Sequence, residues 1–126
     1  MKKIINTSSA PEPIGPYSQA VMAGNMLFVS GQIAIDPKTN EIKIDEIEIE
    51  THQVMQNLEH VLEAAGFGFD DVVKTTIFLI DMAQFAAINT VYGSYFKAEF
   101  PARETVEVSG LPKGVHVEIS VVAYKP

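Results

Sequence analysis

Arg103 is the only arginine in a chain whose other eight basic residues are lysine. A guanidinium presents a planar fork of donors that meets a carboxylate or phosphate with two parallel hydrogen bonds, whereas an ammonium is a mobile point charge. Arg103 lies in Pro-Ala-Arg-Glu-Thr-Val-Glu-Val, residues 101 to 108, which reads as the opening of a β-strand. The competing reading is an ordinary surface ion pair. The histidines point to no metal chemistry: His52 and His60 stand eight apart on a predicted helix, and His116 has no second candidate ligand except Glu118 two residues on. Cysteine is absent, which removes disulfides, thiolate nucleophiles and cysteine metal sites together.

A chain of 126 residues, 47% hydrophobic and 20% charged, is long and apolar enough to bury a core as one domain spanning 1–126. Sixteen acidic against nine basic residues give a formal charge of −7, which repels nucleic acid and anionic membrane on average while leaving room for one local basic pocket. The start Met1-Lys2-Lys3-Ile4-Ile5 turns polar at Asn6-Thr7-Ser8-Ser9, so no signal core follows. No apolar run reaches the ~18 to 20 residues of a membrane helix. These features, with the missing cysteine, lead us to expect a soluble cytoplasmic protein.

The elements that must position Arg103 follow from periodicity. Val21 to Ala23 and Met26 to Val29 flank Gly24-Asn25 and predict a tight hairpin that delivers Ser30-Gly31 to a strand end. Ile47, Val54, Leu58, Val61, Leu62 and Ala65 recur at helical spacing, predicting a first helix over 46 to 65 with Gly66 as its C-terminal cap. The acidic run Asp45 to Glu50 reads as decoration of that helix's N-terminus. Val72 to Ile80 predicts a strand. Asp81 caps a second helix whose apolar stripe runs from Phe85 to Phe96, read as core packing. Strands over 103 to 108 and 115 to 124 close the chain.

Alternation puts Arg103, Thr105 and Glu107 on one side of their strand, and His116, Glu118, Ser120 and Tyr124 on one side of the last. Both sets are expected to face away from the apolar layer. The result is an α+β fold, a sheet with both helices on one face and a polar second face that must meet water or another subunit.

Ile14-Gly15-Pro16-Tyr17-Ser18-Gln19-Ala20, Val29-Ser30-Gly31-Gln32, Asp71 to Thr76, Asn89-Thr90-Val91-Tyr92-Gly93, and Pro101-Ala102-Arg103 through Val117-Glu118-Ile119 together resemble the reactive intermediate deaminase family, RidA, formerly YjgF. The resemblance covers about residue 10 to the end. It implies a mixed sheet like that of the small trimeric chorismate mutases, assembled as a homotrimer with sites at subunit interfaces. It also implies hydrolysis of enamines and imines, chiefly 2-aminoacrylate, 2-iminopropanoate and 2-iminobutanoate, to 2-keto acids and ammonia without a cofactor or metal. Carried over by motif, Arg103 pairs with the substrate carboxylate and Glu118 orients or deprotonates the attacking water. Tyr17 and Asn89 resemble pocket residues, and Ser30 and Gly31 would supply hydroxyl and backbone groups where a ligand approaches the chain.

Two positions depart from the family pattern. Thr105 replaces a frequent cysteine, keeping a hydroxyl on the Arg103 side. Glu104 puts an acid where a small residue is usual; strand alternation aims it away from the ligand face, yet a charge so near is able to pair with a neighbouring subunit or to weaken Arg103 as an anion receptor. A regulator that senses keto acids with the same arginine pocket is the alternative class. A ribonuclease lacks support, because the sequence offers no basic groove, aromatic platform or histidine pair.

Overall fold

Gly24, at φ 60°, closes the hairpin of β2 (Ala20–Ala23) and β3 (Met26–Gln32) that its Gly-Asn dipeptide predicts. The computed structural model describes residues 1–126. Helix α1 (Ile47–Ala64) ends on Gly66 at φ 81°, where the Gly66 and Phe67 N–H groups return to the Glu63 and Leu62 carbonyls. That is the glycine-dependent Schellman stop. Strand β4 (Val72–Leu79) leads to Asp81, whose carboxylate accepts the Ala83 N–H at 2.9 Å. A 3-10 turn over Met82–Gln84 precedes α2 (Phe85–Gly93), which stops short of the predicted Phe96. Strands β5 (Ala102–Glu107) and β6 (Val117–Tyr124) complete the chain.

The sheet has six strands in the order β1-β2-β3-β6-β4-β5. The extra strand, β1 (Lys2–Ile5), is too short and charged to be read as a strand alone; it pairs Ile5 with Ala20 at one edge, where lysines are tolerated. Only β4 and β5 run parallel, and α2 is the crossover that a parallel pair requires. Both helices cover one face of this mixed sheet. Val54, Leu58 and Leu62 of α1 and Ile88 of α2 bury against Leu27, Ile77, Leu79 and Ile119 of the sheet. The other face has no helix, and Ile4, Phe28, Val106 and Tyr124 lie exposed across it.

Register corrects one expectation. Arg103 pairs with Thr75 and Thr105 with Ile77, and both partners are buried on the helix face. Arg103 and Thr105 therefore point to the helix side, not away from it, while Glu104 and Val106 take the open side. Alternation groups side chains by face but does not say which face is covered. In β5, an edge strand with no fully buried residue, hydrophobicity could not decide.

Candidate functional site

Glu118 leans from the open face of β6 across β3, over Gly31. A Cβ on Gly31 would stand 2.8 Å from the Glu118 Cδ and closer still to an oxygen, so glycine is what lets this carboxylate lie there. The β3–β6 register slips between Val29 and Gln32, and this bulge opens the backbone at Ser30-Gly31. Burial raises the Glu118 carboxyl above the ordinary range, because desolvation disfavours the anion. Ile14, Tyr17, Ser30, Gly31, Ile33 and Pro112 surround it in one cleft.

The loop that brings Ile14 and Tyr17 to this cleft is pinned by Gln19, a buried amide bonded to the backbones of Thr7, Ala10 and Pro11. Ser30 helps differently from expectation: its hydroxyl donates to the Ser18 carbonyl at 2.6 Å, so its proton holds the loop. Tyr17 is 47% exposed on the cleft wall, and its hydroxyl accepts the Ile14 N–H at 3.3 Å.

Arg103 occupies a second cleft with Asn89, Tyr92, Gly93, Phe100 and Pro101. Its Nη1 donates to Asn89 Oδ1 at 2.7 Å, and the guanidinium carbon sits 5.2 Å from the Tyr92 ring centroid and 5.6 Å from that of Phe85. These lie within cation–π range. Phe85, Asn89 and Tyr92 follow one another at helical spacing, so a single face of α2 brackets the arginine. Tyr92 is itself anchored by its hydroxyl, which donates to Thr75 Oγ1 at 2.9 Å beneath the helix. With Nη1 occupied by Asn89, the Nε–Nη2 edge of the fork remains for a ligand carboxylate. Thr105 Oγ1 is buried on the same side with no protein partner.

The predicted residues thus form two groups rather than one. Tyr17, Ser30, Gly31 and Glu118 gather in the first cleft, Asn89 and Arg103 in the second, with Thr105 beside Arg103. Glu118 is level with Phe78 and Phe78 with Val106, so Arg103 lies two strands across and three residues along, about 14 Å away at standard strand spacings, on the opposite face. The shared polar face expected from sequence does not exist within a chain. Glu104 lies on the other side of its strand from Arg103, as alternation expects: on the open face it accepts from Thr76 Oγ1 at 2.6 Å and pairs with Lys74 at 3.1 Å, with its carboxyl held low chiefly by the Thr76 bond. It turns away from Arg103.

Glu50, read as surface decoration, is fully buried and bonded to His116 and the β6 backbone. Its signal was in the sequence: it precedes Val54 by four and Leu58 by eight, on the apolar stripe of α1. His52 and His60 bond to the Tyr95 hydroxyl and the Ser9 carbonyl. No group of three or more His, Asp or Glu side chains converges where a metal could sit.

Residues 7–125 match the family described as Endoribonuclease L-PSP. A RutC family protein of Pyrococcus horikoshii is 55% identical over 99% of each chain. The human 2-iminobutanoate/2-iminopropanoate deaminase is 42% identical, over 98% of this chain and 90% of that one. The crystal structure of Escherichia coli TdcF with bound serine superposes with a TM-score of 0.95 at 40% identity, covering 98% of this chain and 99% of that one.

Proposed function

The chain belongs to the Endoribonuclease L-PSP family, that of the RidA and YjgF proteins, and from this premise and its two clefts we propose that it is an enamine and imine deaminase. Its substrates would be 2-aminoacrylate, 2-iminopropanoate and 2-iminobutanoate. The observation that carries the reading is the pair of complementary half-sites: one offers a fixed guanidinium edge for a carboxylate, the other a half-buried carboxylate suited to handling water. The names of a human deaminase relative and of a serine-bound structural neighbour agree with small carboxylate ligands.

The two half-sites need a second copy to meet. A sheet face bearing Ile4, Phe28, Val106 and Tyr124, each at least 40% exposed, is the kind of apolar surface that assembly covers. We assign it to a homotrimer in which the Arg103 cleft of one subunit opens onto the Glu118 cleft of the next, giving three equivalent sites.

In such a site Arg103 holds the substrate carboxylate. Glu118 takes a proton from water as the oxygen bonds to the carbon of the protonated imine, and the C=N pair moves to nitrogen to give the amine of a carbinolamine. Glu118 returns that proton to the amine; the C–N bond then breaks and ammonia leaves, while the hydroxyl O–H pair becomes the second C–O bond of the keto group and its proton passes to Glu118 and on to the departing ammonia as ammonium. Tyr17 and Thr105 line the space between, and Asn89 orients the guanidinium. No step calls for a metal or cofactor. A net charge of −7 gives a ribonuclease little support, and no helix is long and apolar enough to cross a membrane. The cytoplasm suits a chain without cysteine.

The test is release of 2-oxobutanoate from 2-iminobutanoate generated in situ, with a trapping amine in competition. Protein should divert imine from the trap. An unchanged trapping rate at saturating protein overturns the enzyme reading, and keto-acid binding without turnover would leave a sensor in its place.

A further inference from the structure

Glu50 sits in the first turn of α1 with no solvent exposure, yet no lysine or arginine pairs with it. Its Oε2 accepts the backbone N–H of His116 at 2.7 Å and of Val117 at 3.1 Å, and its Oε1 lies 2.7 Å from His116 Nδ1. Those two peptide N–H groups stand where the sheet ladder has only begun: β4–β6 pairing starts with Leu79 and Val117, and before it the Ile80 N–H reaches the His116 carbonyl. Buried backbone donors must find an acceptor, and here one helix carboxylate serves both. A buried charge bonded on both oxygens is also a stiff one, since releasing any partner leaves the rest uncompensated.

The next residue is Glu118. Its side chain leaves β6 on the open face, while Glu50 grips the two preceding peptides from the helix face. The 3-10 turn Pro112–Gly114 that leads into these peptides also carries Pro112, a wall of the Glu118 cleft. The lateral play left to Glu118 is narrow, because its carboxylate lies against the Gly31 backbone.

We propose that Glu50 is the positioning residue of Glu118, a three-bonded clamp that fixes the start of β6 so that the carboxylate rests over Gly31. The inference builds on the deaminase reading, in which Glu118 handles the water and Arg103 the substrate. It separates Glu50 from general stability, because a loosened β6 start harms the step Glu118 performs and spares the binding Arg103 performs.

Three substitutions test it in the full-length assembled protein. Glu50→Ala deletes the clamp, Glu50→Asp keeps the charge but falls one methylene short, and Glu50→Gln keeps the length and an oxygen for both N–H groups. Displacement of a reacting group by about 1 Å can cost roughly 10²-fold, so Glu50→Ala and Glu50→Asp should lower kcat by at least about tenfold with pyruvate affinity within about twofold of wild type. Glu50→Gln should recover kcat to within about threefold of wild type. A readout independent of turnover accompanies this: the 13C carboxyl signal of Glu118, identified by its absence in Glu118→Gln, should move on Glu50→Asp and stay on Glu50→Gln. Wild-type kcat in Glu50→Asp, equal loss of binding and turnover, or a Gln variant as impaired as Asp overturns the clamp. If Glu50→Ala does not fold, the Asp and Gln pair decides. If the wild type itself lacks turnover, the deaminase reading fails, and the Glu118 signal still decides whether Glu50 positions that carboxylate.

Discussion

Arg103 and Glu118 stand on opposite faces of one β-sheet, two strands apart, with their nearest approach blocked by the sheet itself. One chain therefore cannot hold a small substrate between them. If both act on the same molecule they come from different subunits, and two inactive variants should complement. Arg103→Ala retains a working Glu118, and Glu118→Gln retains a working Arg103. In any mixed trimer one interface of three joins the two intact halves. Equimolar unfolding, mixing and refolding should thus restore about one quarter of wild-type activity, since about three quarters of randomly assembled trimers are mixed. A mixture as inactive as its parents would show that the two residues do not share a site.

The bracket around Arg103 predicts that charge alone is not enough. Lysine has no planar face for Tyr92 and Phe85, and the donors left on its ammonium once Asn89 is engaged diverge and cannot make two parallel bonds to a carboxylate. A charged hydrogen bond is worth roughly 1.5 to 3 kcal/mol, so Arg103→Lys should lower kcat/KM about ten- to hundredfold, close to the loss in Arg103→Ala. Steady-state kinetics beside circular dichroism checks this. Near-normal turnover in the lysine variant would make the arginine a steering charge only.

Gly31 offers a sharper handle on Glu118. Its backbone is outside the left-handed region, so alanine there meets no φ penalty, only the Glu118 carboxylate. Gly31→Ala should leave melting temperature within a few degrees and lower kcat by about 10²-fold, the size expected when a reacting group is pushed aside. Unchanged kcat with an intact fold would remove Glu118 from the chemistry or show that its resting position is irrelevant.

Much of this arrangement was legible in the residues, and the parts that were not share a cause. Gly24-Asn25, Gly66 and Asp81 announce the first hairpin, the end of α1 and the turn before α2 because each supplies a local conformation or acceptor that few residues can. The α1 stripe is readable for the same reason, since its period repeats. What periodicity cannot supply is the identity of the covering layer. In β5 the order Ala-Arg-Glu-Thr-Val-Glu fixes that Arg103 and Thr105 share a side, but only the register with Thr75 and Ile77 shows it to be the helix side. Periodicity assigns Phe85 and Tyr92 to core packing, and they do pack there; what it does not show is that the same two rings, with Asn89, bracket Arg103. The role of Glu50 is hidden because an acid in the first helical turn has a sufficient local explanation in the helix dipole. The partner that overrides it, the β6 backbone, lies 66 and 67 residues away.

The last prediction uses the raised carboxyl of Glu118 to separate chemistry from stability. As a base Glu118 works only when ionised, so kcat/KM should rise as pH climbs through its folded pKa, on a limb above the usual glutamate range of about 4.3. Stability should run the other way. Because burial makes the folded protein bind this proton more tightly than the unfolded chain, the contribution of Glu118 is favourable at low pH and is lost as pH rises through the same folded value. Glu118→Gln resembles the protonated side chain and should abolish both slopes: turnover falls by about 10² to 10⁴ with keto-acid affinity kept, while melting temperature above the transition equals or exceeds that of wild type. Activity profiles and thermal melts across the same pH series make the comparison. If the glutamine variant keeps the acid limb, another group supplies it, and if the variant melts lower than wild type at high pH, the anion is held by favourable contacts that outweigh its burial.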